Sequence, residues 1–337
     1  MNTKLLTPAE AKEAGKILKN GGLVAIPTET VYGLAANALD GKAVANIFKA
    51  KGRPMDNPLI VHIAELSELD DLVAYVPSTV YDLADAFWPG PLTIILDKSE
   101  LIPDEVSAGL DTVAIRMPSH PVARSIIKAA GVPLAAPSAN TSGKPSPTTV
   151  QHVIDDMDGK IDAIVDGGPC SVGVESTVIT LATRRPRILR PGKVTPEELS
   201  EVLGEDIEID DAVLNELKEG QVAASPGMKY KHYSPNANVV IVTGTIEAFA
   251  EYVNGKDPDT TAALVFDGEE SFLHCTCLPF GKEGDELAHA NTLFAHLRKC
   301  DELGMQNVYV RCPTAEGVGL AVMNRLLRAA AFEIKEL

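Results

Sequence analysis

The sequence predicts an α/β protein in two parts, a front sheet covered by helices and a small doubly wound domain behind it. Short β-rich runs alternate with amphipathic stretches along the front part. Those runs are too short for core helices and too apolar for a sheet with one wet face. After an interruption rich in Pro, Gly, Ser and Tyr, a strand–helix rhythm restarts at residue 238 and runs to the end. The 337 residues are enough for two domains, each with its own core.

Thr7-Pro8-Ala9-Glu10 reads as a capping box with Pro at the first helical position, and Gly21-Gly22 stops the helix it opens. Strands are expected at 23–27, 59–63, 92–96, 113–117, 133–137, 162–166 and 176–181, with helices at about 40–50, 78–87, 121–130 and 148–157. Residues 196–220 hold ten acids and one base and read as a capped helix plus an acidic stretch. Residues 221–235, QVAASPGMKYKHYSP, have the composition of a linker. A plain spacer has no need for two Tyr, two Lys and a His in five residues, so this segment is also a candidate functional loop. Behind it come strands 238–243, 261–266 and 307–312, with helices from about 246, at 286–303 and at 317–331.

Hydrophobic residues at 45% and charged residues at 23% exclude wholesale disorder. Aromatics make up 5%, so the cores rely on Val, Ile, Leu and Ala. The net charge of −17 argues against a broad basic surface for nucleic acid. It is uneven: up to residue 195 there are 19 basic and 22 acidic residues, net −3, and the remainder has 11 and 25, net −14. Five scattered cysteines include no C-x-x-C pair, so reduced, mostly buried thiols are expected rather than zinc. With no apolar leader and no run of membrane-spanning length, a soluble cytoplasmic protein is expected.

P-loop, GxGxxG, HExxH and GxSxG motifs are all missing. Polar residues instead collect in loops that follow strands, where open α/β sheets bind ligands. Pro27-Thr28-Glu29-Thr30-Val31-Tyr32-Gly33 suits a small polar ligand, or is an ordinary turn. Lys49, Lys51 and Arg53 complement a helix dipole, or clamp a polyphosphate. His62 lies inside an apolar strand, as core histidines commonly do. Arg116 sits in another such strand and needs an anion, from either a protein acid or a substrate carboxylate; the substrate is the favoured reading. The loop 136–146, with three Ser, a Thr, an Asn and a Lys, supplies donors without bulk. Glu175-Ser176-Thr177 and Arg190-Pro191-Gly192 add to the set. With no nucleophile–base pair in view, these groups suit a site that orients anionic reactants and stabilises their charge.

In order and spacing, PTETVYGLAANA, KGRPMDNPLIVHI, WPGPLTIIL, VAIRMPSHP, APSANTSGKPSPT, ESTVI and ILRPG resemble the YrdC-like domain of the threonylcarbamoyl-AMP synthases. SPGMKYKHYSP resembles the segment that joins the two domains in the long form of that family. The likeness runs from about residue 8 to 236; beyond 238 only the small α/β architecture matches. The resemblance implies a YrdC-like twisted mixed sheet with helices at 1–209, a linker and active-site loop at 210–237, and a small Rossmann-like parallel α/β domain at 238–337.

It also implies a nucleotidyltransferase that makes threonylcarbamoyl-AMP and pyrophosphate from L-threonine, bicarbonate and ATP. The product serves threonylcarbamoyladenosine modification of ANN-decoding tRNA. By position, Thr30, His62, Arg116, Ala136 and Ser176 would hold L-threonine. Arg53, Asn57, Thr112, Ser138, Ser146, Arg190 and Tyr233 would hold ATP, and Lys51, Arg53, Ser138 and Asn140 match the Lys-x-Arg and Ser-x-Asn signature at the catalytic centre. Mg²⁺ is expected with the ATP phosphates, without an assigned protein ligand. A threonylcarbamoyl transferase complex is the expected recipient of the product, with no direct tRNA docking on this acidic chain. Two rivals remain at this point. One is a carbamoyl transferase of the hydrogenase-maturation type, whose acylphosphatase domain and paired C-x-x-C motifs are missing from these 337 residues. The other is a non-catalytic RNA-binding module.

Overall fold

The structure, a computed structural model, describes residues 2–215 and 232–337. They fall into two compact units, one of residues 2–142 and 146–213, the other of 143–145, 214–215 and 232–337. Most of the segment read as a linker, 216–231, lies outside the described residues.

The first unit is built on strands β1 (Lys4–Leu6), β2 (Val24–Ile26), β3 (Gly33–Asn37), β4 (Ile60–His62), β5 (Leu92–Asp97) and β6 (Thr112–Arg116). They continue with β7 (Leu134–Ala135), β8 (Ala163–Val165), β9 (Thr177–Thr180), β10 (Arg187–Arg190) and β11 (Glu208–Ile209). All eleven form one sheet in the order β1-β8-β2-β3-β7-β4-β6-β5-β9-β10-β11. It is mixed: β1–β8, β8–β2, β4–β6, β5–β9 and β10–β11 are parallel, the other neighbours antiparallel. The helices are α1 (Ala11–Lys19), α2 (Gly41–Lys51), α3 (Leu69–Leu72), α4 (Ser78–Phe87), α5 (Asp104–Ser107), α6 (Pro121–Ala130), α7 (Val150–Met157) and α8 (Pro196–Leu203).

Alternation along β2 shows why its sequence is apolar throughout. Val24 and Ile26 pack with Leu18 of α1 and Ile126 and Ile127 of α6. Ala25 faces the other way, into a core with Ile47 and Phe48 of α2, Leu83 of α4, Val153 of α7 and Leu199 of α8. Strands buried on both faces lose the polar half of the alternation. The α1–α6 layer is close-packed: a Cβ on Gly15 would lie 2.6 Å from the Ala129 carbonyl carbon, so only glycine fits there. Beyond β7 the α1/α6 face is lined by a small separate cluster, Ile60, Ile95, Ala114, Val178, Leu189 and Ala212.

The capping box at Thr7 is present, with the Thr7 amide donating to Glu10 Oε2 at 2.8 Å, but it opens a 3₁₀ turn, and α1 follows at Ala11. Gly33, read as the end of a turn, opens β3, whose remaining residues had no assignment from sequence; the strand forms because its backbone is shared between β2 and β7. At α8, Thr195 Oγ1 accepts from the Glu198 amide at 3.3 Å while the Thr195 amide donates to Glu198 Oε2 at 2.8 Å. Thr195→Ala removes that cap and should cost about 1 kcal/mol of stability. A chemical denaturation midpoint equal to wild type at unchanged slope would refute it.

The second unit runs β12 (Asn238–Thr243), α9 (Ile246–Asn254), β13 (Thr261–Val265), β14 (Thr276–Pro279), α10 (Glu286–Glu302), β15 (Asn307–Arg311), α11 (Gly319–Ala329) and β16 (Ile334–Glu336). Its five strands are parallel, in the order β14-β13-β15-β12-β16. Two edge strands, β14 and β16, escaped the sequence reading: one carries a proline and the other is exposed throughout. All five cysteines are free thiols. Burial pushes Cys170 and Cys300 up to about 12, so neither is ionised at neutral pH.

Candidate active site

The site grows out of strand register. His62 of β4 stands beside Arg116 of β6, and Arg116 stands beside Thr93 of β5. Directly paired residues share a sheet face, so the three side chains form a row across adjacent strands. Their face is that of Ile60, Ile95 and Ala114, where the α1/α6 layer has ended. The row is buried: His62 is 3%, Arg116 4% and Thr93 0% exposed.

Arg116 is met by the turn that follows β2. Its Nη2 donates to Glu29 Oε1 at 2.6 Å, its Nη1 to Thr30 Oγ1 at 2.9 Å and its Nε to the Gly90 carbonyl at 3.2 Å. The turn is braced by Thr28, whose hydroxyl donates to the Val31 carbonyl and accepts from the Thr30 and Val31 amides. A protein acid therefore answers the buried arginine, where the sequence reading favoured a substrate carboxylate. Guanidinium has five N–H groups, so two remain after these three bonds among the described residues. Burial works to raise the Glu29 pKa, but the charge and hydrogen bond of Arg116 outweigh it and hold the carboxyl below its ordinary value. His62 goes the same way for two reasons. Burial first, then the neighbouring guanidinium, push its pKa down to about 3, so the imidazole is neutral at physiological pH.

At the other end of the row, Thr93 Oγ1 and Ser176 Oγ share a hydrogen bond of 2.7 Å. Arg190 holds Ser176 twice, Nε on its carbonyl and Nη2 on its hydroxyl, both at 3.1 Å. Gly192 makes this possible, since a Cβ there would lie 2.3 Å from the Thr177 amide nitrogen. Ser146 donates to the buried carboxylate of Glu175.

The loop after β7 is fastened from two sides. The Leu34 amide donates to the Pro137 carbonyl at 2.7 Å, and the Ala139 amide to the Tyr32 carbonyl at 2.8 Å. Lys51, 2% exposed at the end of α2, donates its ammonium to the Ser138 carbonyl and, at 2.6 Å, to the Asn140 carbonyl. Gly52 ends that helix in the left-handed region, at φ 64°, and turns the chain so that half-buried Arg53 leads on to buried Asn57. Ala136 is buried where β7 runs into the loop.

Of the residues proposed from sequence, Thr30, His62 and Arg116 are thus brought together, as are Ser176 with Arg190 and Lys51 with the 138–140 loop. Thr112 is at the opposite end of β6 from Arg116, about 13 Å along the strand. Tyr233 belongs to the second unit, 2% exposed, with its ring 5.2 Å from that of Phe294 and 5.7 Å from the Arg325 guanidinium. Thr93 and the partnership of Glu29 with Arg116 were missed by the sequence reading, because the pairings cross 83 to 87 residues of chain.

A family model described as telomere recombination, covering the Sua5, YciO and YrdC proteins, matches residues 16–192. A second, described as the C-terminal domain of threonylcarbamoyl-AMP synthase, matches residues 194–331. The chain is 45% identical to a threonylcarbamoyl-AMP synthase of Pyrococcus abyssi over 95% of its own length and 94% of the relative's. It is 44% identical to the Bacillus subtilis protein of the same name, over 94% and 92%. Among solved structures, P. abyssi Sua5 complexed with L-threonine superposes with a TM-score of 0.91 at 41% identity, covering 100% of both chains. With the mixed front sheet, the parallel second sheet and both family models in place, the chain belongs to the threonylcarbamoyl-AMP synthase family in its two-domain form.

Proposed function

We propose that this protein condenses L-threonine, bicarbonate and ATP into threonylcarbamoyl-AMP, releasing pyrophosphate and water. The observation that carries this reading is Arg116, a buried cation in a row of polar side chains, two of whose N–H groups are left over after its three bonds to described residues. Threonine's amine adds to the carbon of CO₂ formed from bicarbonate, giving a carbamate. A carbamate oxygen then bonds to the α-phosphorus as the bond to the pyrophosphate oxygen breaks. The substrate brings its own nucleophile, so the protein's task is alignment and charge stabilisation.

In this scheme Thr30, Arg116 and Ser176 would fix the amino acid, and neutral His62 would face it without adding charge. Ala136 would lie against it where β7 ends. Arg53, Asn57, Ser138, Ser146 and Arg190 would line the nucleotide, with Asn140 beside Ser138; Thr112 and Tyr233 are the remaining ATP candidates. Among the described residues no group of three His, Cys, Asp or Glu is arranged to hold a metal ion. Mg²⁺ bound with ATP would be carried by the phosphate oxygens and water, as Mg²⁺ commonly is, and would neutralise phosphate charge. The adenylate would pass to a threonylcarbamoyl transferase acting on tRNA. With net −14 in the residues after 195, tRNA itself would dock on that partner. Among the described residues no helix is long and apolar enough to cross a membrane.

Pyrophosphate release by the purified protein should require ATP, threonine and bicarbonate together, with threonylcarbamoyl-adenylate appearing in step. Release indifferent to threonine, or supported by carbamoyl phosphate in place of threonine and bicarbonate, would overturn the assignment.

A further inference from the structure

Arg116 and Glu29 form a buried pair, their side chains 4% and 8% exposed. Hydrogen bonding alone does not call for an acid at this position, because a glutamine oxygen would accept from Nη2 equally well. What Glu29 adds is charge. Its second oxygen, Oε2, is buried and has no partner of hydrogen-bond geometry among the described residues, although the Ser119 and Glu29 backbone N–H groups help to stabilise the carboxylate's charge. A carboxylate oxygen left that way is costly in the interior, so a ligand that satisfies it gains accordingly.

The charge balance around the row gives this meaning. His62, Thr30, Thr93 and Ser176 are neutral, Arg116 and Glu29 cancel, and the buried Arg190 and Glu175 on either side of Ser176 carry opposite charges. A bound carboxylate on Arg116 would leave the pocket with one net negative charge, carried by Glu29. A ligand that also carries an ammonium restores neutrality; one with a hydroxyl in its place does not. We propose that Glu29 is a specificity residue, whose negative charge makes the Arg116 pocket select a zwitterionic α-amino acid over the corresponding α-hydroxy acid. This rests on the reading that the amino acid's carboxylate binds Arg116. On that reading the ammonium is held charged until ATP and CO₂ are in place, and releases its proton to water before attack.

The experiment compares L-threonine with 2,3-dihydroxybutanoate, the same skeleton with a hydroxyl for the amine, by calorimetric titration of the full chain without ATP. Wild type should bind threonine at least tenfold more tightly. Glu29→Gln should lose most of that preference, by weaker threonine binding and unchanged or tighter hydroxy-acid binding. Glu29→Asp, which keeps the charge on a shorter arm, should keep the preference even if both ligands weaken; it also serves if the Gln variant does not fold. Equal weakening for both ligands in Glu29→Gln would make Glu29 a mere orienter of Arg116 and overturn the proposal, as would loss of preference in Glu29→Asp. Wild type that binds neither ligand would instead overturn the underlying placement of the amino acid on Arg116.

Discussion

Arg116→Leu should abolish threonine-dependent pyrophosphate release and destabilise the first unit by about 3–5 kcal/mol at pH 8, the usual cost of stranding one member of a buried ion pair. Leucine fills the space but strips Glu29 of its cation, Thr30 of its donor and the Gly90 carbonyl of its partner. The loss should depend on pH with a definite sign. In wild type the Glu29 pKa is lowered, so its contribution is present above the unfolded carboxylate value and fades only as pH falls through the folded one. Without Arg116, burial dominates and raises the folded pKa, so the variant is penalised increasingly as pH rises above the unfolded value. The stability gap between the two proteins should therefore be smaller at about pH 4.5, near the ordinary glutamate value, than at about pH 8, well above it. Denaturant melts at the two pH values decide it: a gap that does not change would mean that Glu29 is uncharged in the native protein.

Lys51→Met should lower turnover by about a hundredfold while leaving the fold intact, since methionine keeps the apolar stem and loses only the ammonium. That ammonium holds the Ser138 and Asn140 carbonyls, so its removal frees the loop that carries two of the proposed site residues. Arg53→Ala should lower turnover by a similar factor, on the order of a hundredfold, through loss of a donor to the phosphates. The two variants separate in hydrogen exchange. The 138–142 amides should exchange faster in Lys51→Met and at the wild-type rate in Arg53→Ala. Turnover near wild type in either variant removes that residue from the site.

These two residues also mark how far the sequence could be read. Lys51 and Arg53 stand out as cations at a helix end, and a polyphosphate clamp is a fair inference from them. That Lys51 spends its charge on backbone carbonyls is invisible, because carbonyls have no letter in a sequence. Arg116 announces that a counter-charge exists, since a guanidinium in TVAIR cannot be left alone, but nothing local tells Glu29 from any other acid. The partner becomes legible only once β2 and β6 are placed in one sheet. Element types were easier: the alternating cores of β2 and the caps at Thr7 and Thr195 are written locally. β3 was not, because GLAAN has little strand propensity of its own and is held by its neighbours on both sides.

The place of β1 has a consequence for the order in which the molecule is made. Lys4, Leu5 and Leu6 emerge long before their partners in the sheet, Ala163, Ile164 and Val165. At about 5–20 residues per second, the ribosome needs on the order of ten seconds to supply them. For that interval the first strand is an unpaired edge with two leucines, the kind of segment that recruits the wrong neighbour. Lys4 and Glu13, 2.6 Å apart in the finished fold, put charge beside it at the outset. Until β8 arrives, β1 is thus an exposed strand guarded by those two charges.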